Sequence, residues 1–460
     1  MKEQILVLLN SFDQILWSNF LVYLLIAVGI FYTIRLKGLQ FKYLPIALKM
    51  AISRKDDKEE GDISQFQSLM TSLAASIGIS NIAGVATAIL AGGLGSIFWM
   101  WVIALLGMST KYAEAILAVR FRKQDSQGNM QGGPMFYIQE GLGWKKLAMA
   151  FSLFGCLSAL AGGNLTQSNS IAIALVNYVP ISKWIFGLFL ALITFVILSK
   201  GIKRIGLVSS YLVPIMAFLY ITFGMVVIVY NYELIPQVFF DIFKAAFKGQ
   251  AAVGAFMGAS VAQAIQFGIA RGISSSEAGL GSAPIAAAAA KTDYPGRQAL
   301  ISMSGTFISS MIVCTITALT IGVSGLIGAK SADGEILNGV KLVMNAFSNV
   351  IPAGDVIVAI GVLLFGYSTI VGWAYYGEQC YCYLFKEKTV IYYRLLFCIV
   401  VLFGAVASLE LVWPIVDIMN GLMALPNLIA LFFLSSYVVE ESDKFISVLN
   451  KERKEISSLT

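Results

Sequence analysis

The sequence contains no histidine in 460 residues. That absence removes the commonest metal ligand and the side chain best suited to proton exchange near neutral pH. A Ser-His-Asp triad, a zinc-hydrolase centre, a histidine-ligated haem and a histidine relay are all excluded. Charge is scarce as well. Only 13% of residues are Asp, Glu, Lys or Arg, against roughly 25% in a soluble domain. So few charges cannot cover a water-facing surface. Cysteine is limited to Cys156, Cys314, Cys380, Cys382 and Cys398, with no C-x-x-C pair. All lie in or beside apolar segments, so they read as buried thiols rather than a metal or redox centre. The opening MKEQILVLLNSFDQILW lacks the basic start and small-residue cleavage site of a secretory signal. Glu3, Asn10, Asp13 and Gln14 interrupt it, as suits an interfacial lead-in to a first span.

What is abundant is apolar length. Hydrophobic residues make up 58% of the chain, and the mean hydropathy is +0.79. They come in blocks of about 20, the length a helix needs to cross roughly 30 Å of hydrocarbon. Runs such as FLVYLLIAVGIFYTI (20–34) are continuous, unlike the alternating strands of an outer-membrane barrel. The expected fold is all-α and polytopic. Eleven spans are expected at 15–35, 65–90, 95–120, 146–177, 184–199, 206–230, 252–270, 297–324, 354–384, 390–407 and 411–436. The net charge of +6 lies mostly in short loops, where it sets topology rather than binding nucleic acid. If Arg35 ends the first span inside, 25 of the 32 Lys and Arg fall on the inner side and 6 outside; Lys111 lies within a span. Inner loops of membrane proteins are the basic ones. The expectation is an N-terminus outside and a C-terminus in the cytoplasm, in a bacterial-type plasma (inner) membrane.

Two spans break ordinary helix grammar. SLMTSLAASIGISNIAGVATAILAGGLG (68–95) has Gly78, Ser80, Asn81 and Gly84 in mid-span. GAFMGASVAQAIQFGIARGISSSEAGLGSAPIAAAA (254–289) is interrupted by Gly268, Gly272 and Ser274, Ser275 and Ser276. Irregular backbone at membrane depth is tolerated only where it faces protein or a water-filled cavity. Interrupted helices at corresponding places in two halves point to a transporter binding site. Spans 2–6 and 7–11 form two units of five, and the orientation inverts the second relative to the first. The chain thus divides into an N-terminal helix and basic loop (1–64), a first repeat (65–230), a second repeat (252–436) and a tail (437–460).

The break at Gly78–Asn81 frees backbone groups. The half-helix that follows turns its positive end toward whatever sits there, which suits a carboxylate. Freed carbonyls with a hydroxyl or amide suit sodium. A close helix contact is the plain alternative, since small residues enrich packed interfaces. GGNLTQSNSIA (162–172) puts Asn164, Thr166, Gln167, Ser168, Asn169 and Ser170 into one apolar block, which implies a polar cavity. Gln167 would reach a ligand there. Ser368 and Thr369 are adjacent hydroxyls in mid-span. Each can bond back to its own helix or serve a cation. Lys111 and Glu114, at i and i+3, can neutralise each other, and Arg271 and Glu277 flank the serine run. These four read as structural ion pairs or gates. A proton-coupled mechanism would have to use a carboxylate such as Glu114, Glu277, Glu378 or Asp417. The loop MQGGPMFYIQEGLG (130–143) lacks the Lys-Ser/Thr of a phosphate cradle and reads as packing under the core. An embedded enzyme would need a nucleophile–base pair or metal cluster, and none is apparent.

Several ordered blocks resemble the alanine/glycine:cation symporters. They are NIAGVATAI (81–89), FWMWVIALLGMSTKYAEA (98–115), GGPMFYI (132–138), EAGLGSAPIA (277–286), GWAYYGE (372–378) and DIMNGLMALPNLIAL (417–431). The resemblance runs from Phe66 to Leu434. It implies five-plus-five inverted repeats behind one extra N-terminal helix, and symport of alanine, glycine or a similar amino acid. Sodium, sometimes a proton, would be the coupling ion, with no organic cofactor, and the carrier is expected to be a monomer. It carries substrate roles onto Asn81 and Gln167, beside Gly78, Ser80 and Ser274. It carries cation roles onto Gly78, Ser368 and Thr369. Two departures stand out. The family's G-T-G-N-I-A-G is altered at Ile79 and Ser80, and in R-G-V-F-S-N-E-A-G Ser274 replaces the aromatic and Ser276 the amide. These changes admit glutamine or serine as cargo.

Overall fold

In hydrocarbon every backbone N–H and C=O must find its partner within the protein, so apolar blocks of this length become helices. The computed structural model describes residues 2–52, 59–176, 178, 181–251, 257–331, 333–385, 387–407 and 412–459. The chain opens with α1 (Lys2–Leu16), which passes through a π turn (Trp17–Leu21) into α2 (Val22–Arg35). Lys37 and Gly38, both at positive φ, turn the corner, and α3 (Leu39–Ile52) leaves α2 at 84°. The second apolar block is split into α4 (Gln65–Ser76) and α5 (Ala83–Gly92). α6 (Gly95–Arg120) follows, then a short antiparallel hairpin, β1 (Lys123–Gln124) and β2 (Met130–Gln131), and α7 (Pro134–Leu142).

The fourth block is α8 (Lys145–Leu160) and α9 (Thr166–Leu175), joined by a π turn at Ala161–Leu165. Next come α10 (Lys183–Leu198), α11 (Gly201–Tyr230) and the amphipathic α12 (Ile235–Lys248). α13 (Val261–Ser276) and α14 (Ala283–Ala288) form the second split element. α15 (Pro295–Thr306) and α16 (Cys314–Ser324) flank a third π turn. After α17 (Gly339–Ser348) come α18 (Gly354–Phe385), α19 (Val390–Val406), α20 (Val412–Phe433) and α21 (Ser435–Leu459).

Seven of the described helices are long and apolar enough to cross a membrane singly, or eight if the bent pair α2–α3 counts as one. The other expected spans fall on α4–α5, α10 and α13–α14. Unwound segments cut two of these in half, and α10 has 16 residues. Most boundaries agree with the sequence reading: 95–120 is α6, and 184–199 is α10 displaced by one residue. The seventh span is displaced: its helix runs 261–276 rather than 252–270. The expected limits at 252, 177 and 411 lie outside the described residues. Arg271, counted with the loop 271–297, lies inside α13. The 437–460 tail is not a loose end but α21.

α6 is the central pillar, packed by α2, α12, α13, α14 and α15, while α18 packs against α4, α8, α9 and α11. Arg122, beside the hairpin, donates to the Glu60 and Ala290 carbonyls, and α21 packs against α6 and α15. Glu441 pairs with Arg120, and Glu452 pairs with Arg297 at 2.6 Å. The Arg297 guanidinium lies 5.4 Å over the Phe445 ring. The loop 130–143 does pack under the core, through buried Pro134, Met135, Tyr137 and Ile138 of α7.

Candidate functional site

The first break follows from α4 running out of helix at Ser76. Ile77 keeps one helical bond, donating to the Leu73 carbonyl at 2.7 Å. Gly78 is extended, and Ile79–Asn81 form a single tight turn before α5. Asn81 holds this shape. Its Oδ1 accepts the Gly78 N–H at 3.0 Å, and its Nδ2 donates to the Ser309 carbonyl at 3.1 Å and the Cys314 sulfur at 3.3 Å. The Thr317 hydroxyl donates to the Asn81 carbonyl at 2.8 Å. Asn81 is fully buried. Its side chain is thus spent on the protein, stapling the break to α16 and the turn before it.

Opposite the break stands α18. The Ser368 and Thr369 hydroxyls reach the Ala74 carbonyl at 3.3 and 3.1 Å, and each also bonds back to the Phe365 carbonyl at 2.9 Å. The approach is close. A Cβ on Gly78 would lie 2.5 Å from Thr369 Oγ1 and 3.4 Å from Gln167 Oε1. Gln167 Oε1 accepts the Ile79 N–H at a long 3.4 Å, while its Nε2 holds the Gly162 carbonyl at 3.1 Å. Gly78, Gln167, Ser368 and Thr369, far apart in sequence, therefore meet in one place. The Ala74 carbonyl and the two hydroxyls offer oxygens, the ligands a hard cation prefers, with the Met216 sulfur 3.4 Å from the Ser368 hydroxyl. Ser80 faces the other way: its hydroxyl donates to the Ser274 carbonyl at 3.3 Å, tying the break to α13.

Much of the rest of the polar run, in the π turn and on α9, bonds to helix backbone. Asn164 Nδ2 donates to the Phe397 carbonyl at 2.8 Å and Asn169 Nδ2 to the Gly404 carbonyl at 3.0 Å. Both serve as glue to α19. Thr166 and Ser168 bond back to their own turn.

The second break is not at the glycines and serines of α13. It lies at 277–282, where Glu277, Gly279 and Gly281 all take positive φ. Gly268 and Gly272 stay helical because they are contact points with α6. A Cβ at Gly268 would strike the Ser96 carbonyl, and one at Gly272 would lie 2.5 Å from Ile103 Cγ2. Lys111 and Glu114 project from α6 into this break. Lys111 Nζ donates to the Ser276 carbonyl at 2.9 Å, capping the C-terminal end of α13. Glu114 Oε1 accepts the Gly279 and Gly281 N–H groups at 3.1 Å each, and the Asn427 amide at 2.6 Å. Lys111 and Glu114 lie close enough to act on each other electrostatically, and each also bonds to the unwound segment opposite. Glu277 likewise turns from Arg271 to the Ser282 hydroxyl at 2.8 Å, and Arg271 faces Asp417 at 4.0 Å.

Sequence reasoning missed Asn427, Ser309, Cys314 and Thr317. Asn427 carried a legible signal, being an amide within an apolar span directly after Pro426. Ser275 and Ser310 share a 2.8 Å hydroxyl bond, which fastens α13 to the turn that also holds Asn81. Among the described residues no group of three or more Cys, Asp or Glu could hold a metal ion.

Comparisons with known proteins place the chain in a family. The family model described as the sodium:alanine symporter family matches residues 2–458. A sodium/alanine symporter of Methanococcus maripaludis is 48% identical over 453 residues, covering 97% of this chain and 98% of its own length. A Bacillus subtilis protein described as a probable sodium/glutamine symporter is 37% identical over 428 residues, covering 93% and 87%. Among solved structures, a manganese transporter of Eremococcus coleocola aligns at TM-score 0.54 and 13% identity, over 82% of this chain and 80% of that one. A sodium-coupled sialic acid symporter aligns at TM-score 0.54 and 13% identity, over 86% of each. At such identity these two structures speak to the fold, which is that of membrane transporters.

Proposed function

Because the chain belongs to the sodium:alanine symporter family, we propose that it imports alanine, glycine or another small neutral amino acid together with sodium, by alternating access. The observation that carries this reading is the meeting of Gly78, Ser368 and Thr369 around the Ala74 carbonyl. Sodium takes the Ala74 carbonyl and the two hydroxyl oxygens, and in doing so fastens α18 to the end of α4. The amino-acid carboxylate caps the positive end of α5, beside Gln167. Its ammonium turns to the negative, carbonyl end of α13 near Ser274. Asn81 acts through the shape of the break rather than by touching cargo.

The proposed frame is eleven spans, with two inverted five-helix repeats behind the N-terminal helix. The basic end is cytoplasmic, and the carrier works as a monomer. It performs no covalent chemistry. Proton coupling, with glutamine or serine as cargo, is the competing reading. The buried carboxylates Glu114 and Glu277 at the second break favour the proton, and the name of the Bacillus relative favours glutamine as cargo while giving sodium as its ion.

Uptake into proteoliposomes under a sodium gradient tests the proposal, using labelled alanine, glycine, serine and glutamine. Thr369→Ala should weaken the sodium requirement by about tenfold, as the loss of ~1.4 kcal/mol of contact implies. Uptake that ignores sodium and is unchanged in Thr369→Ala overturns the reading. Uptake driven by a pH jump without sodium supports the alternative.

A further inference from the structure

Three residues that line one cavity, Asp13, Arg271 and Asn420, each carry a buried polar atom without a hydrogen-bond partner among the described residues: Oδ1, Nε and Oδ1 respectively. Roughly 90% or more of buried backbone polar groups, and the large majority of buried side-chain ones, are paired. Three orphans around one space therefore mark a place built for a polar occupant. The cavity holds about 290 Å³ and lies between the N-terminal helix, α13 and α20. That is near the ~300 Å³ lower edge of small-molecule sites. Its apolar wall is Trp17, Phe267 and Leu280. The Trp17 ring N–H donates to the Asp417 carbonyl at 2.9 Å, which fixes the wall to α20. Arg271 and Asp417 stand 4.0 Å apart, at the limit of an ion pair. Ser274 lines the same cavity, and its carbonyl accepts the Ser80 hydroxyl. The cavity is therefore next door to the first break.

We propose that this cavity is a second amino-acid subsite, on the approach to the first break, holding a small zwitterion between Arg271 and the two carboxylates Asp13 and Asp417. The guanidinium suits the α-carboxylate as a planar fork. Asp13, Asp417 and Asn420 Oδ1 provide acceptors for the three ammonium protons. The small side chain faces Trp17 and Phe267. A bare cation would satisfy Asp13 and Asn420 but leave Arg271 Nε orphaned beside a like charge. A simple anion would do the reverse. A zwitterion satisfies both sets at once.

This inference rests on the transport reading for the class of its occupant, but its site lacks the oxygens assigned to sodium. Occupancy is therefore expected without sodium. Equilibrium binding of labelled alanine, and of labelled glutamine in parallel, to the purified full-length chain in nanodiscs counts the sites. In sodium, two molecules per chain are expected, and in choline buffer one. Asp13→Asn and Arg271→Gln should each abolish the sodium-independent molecule and keep the sodium-dependent one. Arg271→Lys should restore part of the lost affinity. Unchanged elution and helical content guard against a misfolded variant. One molecule in sodium and none in choline, for both probes, overturns the subsite. So does labelled-sodium binding that falls in Asp13→Asn while the amino-acid count stays the same, because the cavity then belongs to a cation. A sodium-independent molecule in a protein with no sodium-dependent binding sustains the subsite and sinks the sodium reading instead.

Discussion

Gly78 carries the tightest steric demand at the candidate site. A methyl group there would sit 2.5 Å from Thr369 Oγ1, inside any permitted contact. Gly78→Ala must turn the Thr369 hydroxyl away or push α18 from the break, at a cost of about 1–3 kcal/mol for an overpacked site. Either would part the Ala74 carbonyl from the Thr369 hydroxyl. We expect labelled-sodium binding to weaken by more than tenfold with the fold retained. Wild-type sodium affinity in this variant would remove Gly78 from the cation site. Gly78, Ser368 and Thr369 were legible because polar or flexible residues in mid-span are costly in lipid and stand out from their neighbours. Asn81 stood out for the same reason, but its role was not legible. Cost marks a buried amide as needing partners; it does not say whether they are protein or cargo. Here they are Gly78, Ser309 and Cys314.

At the scale of elements, the two split helices are built differently. The first is shaped by one amide and closed by hydroxyls. The second is held by a buried lysine, a buried glutamate and Asn427. Glu114→Ala would leave the Gly279 and Gly281 amides without their acceptor, take one of two acceptors from the Asn427 amide, and leave Glu277 as the carboxylate near Lys111. Breaking such a buried set costs about 3–5 kcal/mol. We expect a large fall in the melting temperature of the purified protein. Glu114→Gln should fall less, since one oxygen still accepts. Equal melting of Glu114→Ala and wild type would rule out this role. The place of the second break was hidden in the sequence for a physical reason. Gly268 and Gly272 suit a close helix contact as well as an unwound turn, and the contact is what forms. The turn itself begins at Glu277 with φ of 57°, a conformation glycine favours and glutamate does not advertise. Likewise, i, i+3 spacing identifies neighbours along α6 but cannot see the unwound segment facing it.

At the scale of the molecule, apolar length made the long helices readable within a few residues. The short elements α3, α12 and α17 were not readable, since each is stabilised by packing on another helix: α15, α6 and α18 respectively. α21 was read as a tail because its charges suit water; its apolar stripe needs the bundle above it to make sense. Phe445 lies beneath Gly296, and the Glu441–Arg120 and Glu452–Arg297 pairs reach two different helices. Removal of residues 435–460 should therefore lower the melting temperature while leaving labelled-sodium affinity within twofold. Loss of sodium binding on truncation would mean that α21 governs the central site.

The contrast between the two breaks has a consequence for how the molecule spends its freedom. Around 277–282, buried charges and amides lock the backbone before any ligand arrives, so little disorder is left to lose. Around 77–82, hydroxyls bond to carbonyls that a cation can replace without loss, so the local exchange is nearly balanced. On the proposed mechanism, the entropic cost of binding then falls on the first split helix, and the second serves as the fixed jaw against which it closes. A sodium-coupled carrier arranged this way would have one moving hinge and one rigid one, with the ion selecting the geometry of the hinge that moves.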